Sequence, residues 1–252
     1  MSRLDKLQID LNADVGEGML TDAELVPLVS SANIACGYHA GDEATMQATI
    51  ELCLQHGVAI GAHPGFQDKE NMGRKNMQLN DNELYGCISK QLELMLYLVE
   101  KNDTTLHHLK LHGALYNMSA ENIEMASVIA KAIQSLSPGL QVYGLAGSKF
   151  LDIISSVGLK PVHEGFVDRA YLKNGQLVPR SQDGACIHSL ALAAAQTRKM
   201  VASQEIETIE GVTIKTFVQT LCMHGDQPRA VERATYIRSI LENLSVEIKT
   251  PN

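Results

Sequence analysis

The stretch HHLKLHGALYN, in the middle of the chain, carries the side chains with the clearest capacity for chemistry. Its alternation predicts a strand with Leu109 and Leu111 on one face. His108, Lys110 and His112 then share the other face. A lysine and histidines on one strand face are costly to bury without partners. An exposed edge strand with a polar face would also explain the pattern, but four other predicted strands close in the same polar way.

These polar strand ends point to a shared catalytic site. A lone histidine at a strand end is more often a satisfied structural group, Asp42 and Asp226 could be helix caps, and Glu164 could pair with Arg169. Together, however, the set supplies an acid, a base and a cation, which favours an enzyme acting on a small, polar, anionic substrate. The residues are Asn12, Asp14, His39, His63, Lys110, His112, Glu164, Asp168, Arg169, His224 and Asp226.

Seven alternating or apolar runs predict the strands that position these side chains. They are residues 7–14, 33–36, 58–62, the run beginning at 107, 141–145, 160–165 and 216–223. Helical stripes and caps separate them, as in the segment that Asp42 begins and Gly57 ends, and in residues 80–100, 149–157 and 188–201. Turns at Asn174-Gly175 and Glu210-Gly211 predict two hairpins.

Repeated strand–helix units over 252 residues predict an α/β fold, a closed seven-stranded, TIM-like β/α barrel forming a single domain over residues 1–252. At the carboxyl ends of such strands the polar side chains converge on one face. An open doubly wound sheet is the alternative. Its usual G-x-G-x-x-G dinucleotide motif is absent from the sequence, as is the phosphate-binding G-x-x-x-x-G-K-[ST] loop.

Composition excludes several classes of function. A formal net charge of −8 argues against binding nucleic acid or anionic membranes. No run approaches the roughly 20 apolar residues of a membrane span. The charged start, MSRLDKLQID, does not resemble a signal peptide and predicts a cytoplasmic protein. Five scattered cysteines without a C-x-x-C motif predict free thiols.

Five motifs, in this order, closely resemble the LamB/YcsF family: SANIACGYHAGD, GVAIGAHPGFQD, LKLHGALYN, GFVDRAY-x-x-x-G-x-L-V-P-R and LCMHGD-x-P-x-A-V. The resemblance runs from about residue 9 to residue 241. The chain reads NMGRK at residues 71–75, where the family usually has Gly-Phe-Gly-Arg-Arg, and Leu111 stands where proline is common. Phe166-Val167 replaces the usual Phe-Ala. These departures alter loop shape and remove no polar motif residue.

The resemblance implies a barrel of the glycoside hydrolase/polysaccharide deacetylase type. It also implies the A subunit of a prokaryotic ATP-dependent 5-oxoprolinase, which cleaves 5-oxoproline to glutamate together with B and C subunits. ATP, with Mg²⁺, would then be a co-substrate. Because the sequence has no recognisable phosphate cradle, ATP is expected on a partner or at an interface, and the chain alone is expected not to turn over 5-oxoproline at a useful rate.

Roles for individual residues follow from that chemistry. Activating a stable lactam needs a cation near the developing charge and a base for water. Lys110 is the candidate cation, His112 with Asp14 the proton-transfer pair, and Arg169 or Arg74 the ligand of the substrate carboxylate. The predicted substrate-binding residues are Asn12, His39, His63, Arg74, Glu164, Asp168, Arg169 and His224.

Two rival classes of function stay open. The first is a metal-dependent deacetylase or amidohydrolase acting on a small amide or carbohydrate, with Asp14, His63 and His112 as ligands of a divalent metal. The second is a carrier that binds such a molecule without chemistry. Clustered acid, base and lysine count against the carrier, since a binding pocket has little use for a poised proton acceptor.

Overall fold

A computed structural model describes residues 7–227 and 229–252. Most of the charged amino-terminal segment and Pro228 of the last motif lie outside these residues. The strands, in chain order, are β1 (Gln8–Val15), β2 (Ser31–Ala35), β3 (Ala59–His63), β4 (His108–Lys110), β5 (Gln141–Leu145), β6 (Lys160–Phe166), β7 (Glu205–Glu207), β8 (Thr213–Lys215), β9 (Thr220–His224) and β10 (Glu247–Ile248).

Seven of these strands close into a parallel barrel, as predicted. The order around the barrel is β1-β2-β3-β4-β5-β6-β9, and β9 pairs in turn with β1. The short β10 adds to the start of β1. The predicted last strand began too early at residue 216, because the amide of Thr216 bonds to the Gln204 carbonyl and continues the preceding β7–β8 hairpin.

Helices surround this barrel. They are α1 (Asp22–Leu25), α2 (Glu43–His56), α3 (Asp81–Lys101), α4 (Gly113–Ser119), α5 (Ile123–Leu136), α6 (Lys149–Ser156), α7 (Leu190–Ser203) and α8 (Ala230–Asn243). The Asp42 cap of α2 and the capping box of Asn80 and Glu83 on α3 are confirmed. The predicted Asp226 cap is wrong: α8 begins after Arg229, and Asp226 pairs with Arg74. No helix in the described part of the chain has both the length and the apolar character needed to span a membrane.

Each barrel strand has one face that packs in the hydrophobic core outside the barrel and one face that points into the barrel interior. In β1, Ile9, Leu11 and Ala13 are buried in the hydrophobic core. Asp10 and Asn12 belong to the alternate face and bond to side chains of neighbouring strands inside the barrel. Barrel interiors are usually filled by layers of branched apolar side chains. This interior is polar instead, and the observed alternation in β1 agrees with the sequence pattern.

Both predicted hairpins are present. Residues 167–180 turn at Asn174-Gly175, where the amide of Leu172 bonds to the Gln176 carbonyl and Tyr171 bridges to Leu177. We call this segment the 167–180 hairpin; it reaches over the carboxyl ends of the strands. The five cysteines, all within the described residues, are free as predicted.

Candidate active site at the carboxyl ends of the strands

A cavity of about 590 Å³ opens at the carboxyl ends of the barrel strands. Asp14 from β1, His63 from β3, Lys110 from β4 and His224 from β9 lie in its wall. The 167–180 hairpin contributes further lining. The site therefore lies where a β/α barrel places its catalytic residues.

Lys110 is the centre of a buried ionic network in the cavity floor. Its ammonium lies 2.9 Å from Asp14 Oδ1 and 2.9 Å from Glu164 Oε1, and its side chain is only 2% exposed. Lys110 also donates to Cys222 Sγ at 2.9 Å. Two carboxylates around one ammonium leave a net negative charge, so the lysine is not a free cation.

The charges of this network are mutually stabilised. Burial alone would raise the pKa of the Asp14 carboxyl, but its interactions with His63 and Lys110 hold that pKa well below its usual value. Burial alone would lower the pKa of Lys110, yet Asp14 and the other acidic partners keep it well above its usual value. Both groups are therefore charged at neutral pH.

Asn12, Asn33 and Tyr116 hold the two carboxylates in place. Asn12 Nδ2 donates to Glu164 Oε1 at 2.9 Å, and Asn33 Nδ2 donates to Asp14 Oδ1 at 2.8 Å. The Tyr116 hydroxyl donates to Glu164 Oε2 at 2.7 Å. A buried polar network stabilises one arrangement only when its members are satisfied, and these bonds satisfy both Glu164 oxygens and Asp14 Oδ1.

Asp168 and His224 form a second unit beside Asp14, because His224 on β9 is the strand partner of Asp14 on β1. Asp168 accepts from the His224 backbone amide at 3.0 Å and from its Nδ1 at 2.9 Å. Burial would raise the pKa of Asp168, but His224 and then Arg233 keep it lowered. With Nδ1 protonated and bound, His224 Nε2 is left as the proton acceptor, 4.0 Å from Asp14 Oδ2. A histidine oriented by a buried carboxylate is a common general base.

A third unit gathers three histidines around Glu17. His63 Nε2 lies 2.9 Å from His112 Nδ1, and Glu17 Oε1 lies 3.2 Å from both His112 Nδ1 and His39 Nε2. Burial and the neighbouring histidines lower the pKa of His112 well below its usual value, and they lower that of His39 to about 3. These two rings are therefore neutral at physiological pH.

The NMGRK loop closes over this histidine cluster with its main chain. His112 Nε2 donates to the Met72 carbonyl at 2.8 Å, and the Ala114 amide donates to the Gly73 carbonyl at 2.9 Å. Gly73 has a φ of +64°, and a Cβ there would lie 2.7 Å from His39 Cβ and 2.9 Å from His112 Cδ2. A side chain at residue 73 would push the loop away from the His39 and His112 side chains.

Three arginines approach the cavity, but they differ in what they can bind. Arg169 Nε and Nη2 already donate to the carbonyls of Ala185 and Val178, so this buried arginine anchors the 167–180 hairpin. Arg74 is partly exposed and pairs with Asp226. Arg180, which was not among the predicted site residues, is half-buried in the lining.

The comparisons with known proteins identify the family. A model of the LamB/YcsF family matches residues 9–252. The chain belongs to the LamB/YcsF family. It is also similar to the crystal structure of a lactam utilization protein from Thermus thermophilus, with 38% identity over 97% of this chain and 100% of that one and a TM-score of 0.90.

More distant solved structures share the fold of this LamB/YcsF chain. An uncharacterized protein from Agrobacterium tumefaciens is 10% identical over 99% of this chain and 89% of its own, with a TM-score of 0.61. The catalytic domain of a peptidoglycan N-acetylglucosamine deacetylase from Eubacterium rectale is 11% identical over 100% and 91%, with a TM-score of 0.54. At these identities the likeness shows the barrel fold alone.

The predicted site residues of this family member fall into two groups. Those in the cavity lining are Asp14, His63, Arg74, Lys110, His112, Arg169 and His224. The other four, Asn12, His39, Glu164 and Asp168, are buried outside the lining. Asn12 and Glu164 bond to Lys110, Asp168 bonds to His224, and His39 bonds to Glu17. None of these four is in the cavity lining, and the substrate contact expected of them stays a prediction. Glu164 pairs with Lys110, not with Arg169.

Glu17 and Tyr116 were not among the predicted site residues. Glu17 comes between two glycines after β1, where it reads as a loop residue, and Tyr116 reads as part of an apolar helix face.

For the metal-dependent alternative, the fit of the expected ligands is partial. Among the described residues, two groups bring ligand atoms within 4.8 Å of one another, and Asp14 is not grouped with His63 and His112 in either. The groups are Glu17, His39, His63 and His112, and Asp14, Cys222 and His224.

Proposed function

We propose that this chain is the A subunit of an ATP-dependent 5-oxoprolinase, a hydrolase of a cyclic amide that acts with B and C subunits. Membership of the LamB/YcsF family carries the proposal. The similarity to a lactam utilization protein supports it, since 5-oxoproline is a lactam. The polar cavity at the barrel mouth is compatible with a small acidic amide.

In this proposal, the rim of the cavity binds the substrate carboxylate. Arg74 and Arg180 are the candidates, because both line the cavity and neither is fully buried. Arg169 is a weaker candidate than expected, since two of its guanidinium nitrogens donate to main-chain carbonyls. The cavity volume of about 590 Å³ exceeds what a five-membered lactam acid needs, which leaves room for the terminal phosphate of ATP.

The reaction would proceed by activating the lactam oxygen. Transfer of the γ-phosphoryl group from ATP to that oxygen makes the ring carbon more electrophilic. Water then adds to the carbon, the C–N bond opens with protonation of the nitrogen, and a second water releases phosphate from the acyl phosphate. The products are glutamate, ADP and phosphate, for two waters consumed.

His224 is the best-placed base for the attacking water. Its Nδ1 proton is held by Asp168, and it lines the cavity beside Asp14. His112, the base expected from the sequence, has Nε2 bound to the Met72 carbonyl and Nδ1 facing His63. We therefore assign water activation to His224. Lys110 keeps Asp14 ionised in the cavity wall.

The test is glutamate release by purified protein. The chain, with and without B and C subunits, is mixed with Mg²⁺ and 5-oxoproline, with ATP present or omitted, and glutamate is measured enzymatically. We expect release only when the chain, both partners and ATP are combined. Full activity of the chain alone would contradict the subunit requirement, and a complete mixture that releases no glutamate would contradict the proposed substrate.

A metal-dependent deacetylase or amidohydrolase is the second candidate function. The grouping of Glu17 with three histidines favours it, because imidazole and carboxylate ligands suit a catalytic divalent metal. The same purified chain, loaded with Zn²⁺ and without ATP, would then release acetate from N-acetylated sugars. Acetate release together with absent glutamate release would replace the first proposal with the second.

A further inference from the structure

Hydrogen bonds fix the protonation of two facing histidines. His63 Nδ1 lies 2.8 Å from the Lys110 carbonyl oxygen, and His112 Nε2 lies 2.8 Å from the Met72 carbonyl oxygen. A carbonyl only accepts, so each of these nitrogens carries a proton. When each ring carries only that one proton, the other two nitrogens, His63 Nε2 and His112 Nδ1, present lone pairs.

Those two lone pairs face each other at 2.9 Å. Two carboxylate oxygens lie beside them: Glu17 Oε1 is 3.2 Å from His112 Nδ1, and Asp14 Oδ2 is 3.3 Å from His63 Nε2. Four acceptors in a buried space repel one another unless a positive species sits among them. That species is either one extra proton or a metal cation.

We propose that Glu17, His63 and His112 bind a divalent transition-metal ion. Zinc bonds of about 2.0–2.1 Å in tetrahedral geometry place neighbouring ligand atoms about 3.4 Å apart. The observed separations of 2.9 and 3.2 Å need only a small expansion to match. The imidazole planes of His63 and His112 are 88° apart, so their lone pairs can approach one ion from different directions.

His39 supports this site without binding the ion. Its ring stacks on His112 with centroids 3.7 Å apart and planes 4° apart. The in-plane lone pairs of parallel stacked rings run side by side, so both rings cannot point at one ion. His39 Nε2 lies 3.2 Å from Glu17 Oε1 and donates to that carboxylate, as residues that orient metal ligands commonly do.

The proposed ligand set of Glu17, His63 and His112 leaves one position open toward the cavity. His63 and His112 line the cavity, whereas Glu17 is not among its lining residues. Two histidines and one glutamate with an open fourth position are a ligand set of catalytic zinc sites. The open position would polarise a substrate oxygen or bind water, whichever amide the enzyme cleaves, so the inference does not depend on 5-oxoproline being the substrate.

The second group, Asp14, Cys222 and His224, is a poorer metal site. The Lys110 ammonium lies 2.9 Å from Asp14 Oδ1 and 2.9 Å from Cys222 Sγ. A divalent ion bound there would be repelled by that ammonium at short range. The histidine–glutamate group has no lysine ammonium in hydrogen-bond contact within the described residues.

Metal binding to the full chain tests the inference without substrate. The protein is dialysed against chelator, and binding of Zn²⁺ is measured by calorimetry and elemental analysis. Co²⁺ is titrated separately and followed by its visible spectrum. The variants are Glu17→Gln and His112→Gln, and the matched controls are the exposed Glu24→Gln and His188→Gln. Circular dichroism confirms that each variant is folded.

We expect one equivalent of Zn²⁺ on the wild type and on both controls. Each ligand variant should bind at least about 100-fold more weakly, since even residues that only orient ligands contribute roughly 10–100-fold. The Co²⁺ spectrum should show strong visible bands of low coordination number and no sulfur-to-cobalt charge transfer. Absence of one-equivalent binding, undiminished binding in either folded ligand variant, or a sulfur band lost in Cys222→Ser would each overturn the inference.

Discussion

Replacing Lys110 with methionine tests the ionic network at the centre of the site. Methionine keeps most of the stem and removes the charge, leaving the Asp14 and Glu164 carboxylates facing each other without their shared ammonium. Removing one partner of a buried ion pair typically costs about 3–5 kcal/mol of stability. For a chain of this size, that corresponds to a melting temperature lower by roughly 6–20 °C.

The measurement is urea unfolding of wild type, Lys110→Met, Glu164→Gln and the double variant Lys110→Met/Glu164→Gln. The double variant removes the orphaned carboxylate as well as the ammonium. We therefore expect its free energy of unfolding to exceed that of Lys110→Met, which gives a coupling energy by double-mutant cycle. The remaining Asp14 carboxylate still has His63 at 3.3 Å in both variants.

Activity is measured only at temperatures where Lys110→Met is folded. Loss of the charge that holds Asp14 ionised should lower turnover of the reconstituted complex by about 10²–10³-fold, as for a lost preorganised contact. A Lys110→Met protein less than about 1 kcal/mol destabilised, with turnover near that of wild type, would refute the network described above. Destabilisation with normal turnover in the folded variant would make Lys110 purely structural.

Three further predictions concern other parts of the site. Asp168→Asn should lower turnover by about 10²–10⁴-fold and shift the pH profile of turnover, while its free energy of unfolding changes less than that of Lys110→Met. An unchanged pH profile would contradict the assignment of His224 as the base. Gly61→Ala should cost about 1–3 kcal/mol, because its Cβ would lie 2.1 Å from the His108 ring, whereas Gly86→Ala, with open space around it, should not destabilise the protein in thermal melts. Burial, then neighbouring positive groups, lowers the pKa of His108 well below its usual value. The contribution of neutral His108 to the free energy of unfolding is therefore fully present above pH ~6.5. It is lost as the pH falls, by up to about 1.4 kcal/mol per pH unit. Urea unfolding from pH 7.5 downward should show this extra slope in the wild type and not in His108→Gln.

The fold could be predicted from the sequence because its signals act over short stretches of the chain. Period-two alternation in residues 8–15 places Asp10 and Asn12 inside the barrel, and the caps at Asp42 and Asn80 begin α2 and α3 as predicted. These signals lie within a few residues of the feature that they determine. The seven-stranded closure followed in turn from strand–helix alternation.

The partners within the site could not be read in the same way. Glu164 and Lys110 are 54 residues apart, and nothing in either neighbourhood distinguishes this pairing from one with the nearby Arg169. Glu17 comes just after β1, yet its carboxylate meets His39 and His112, which come from distant parts of the chain. Such contacts depend on the closed tertiary structure, so sequence predicted which residues gather at the barrel mouth better than which atoms meet there.

The strand that closes the barrel is the last of the seven to be synthesised. Strand β6 ends at Phe166 and β9 ends at His224, so at about 5–20 residues per second the ribosome needs roughly 3–12 s to cross these 58 residues. Until then β1 and β6 are unpaired edges, which can template wrong pairing. The hydroxyl of Thr220, which bonds both Asp10 and Asn12, does not yet exist. A ribosome paused between these strands would hold an open sheet whose interior carboxylates still await their final hydrogen-bond partners.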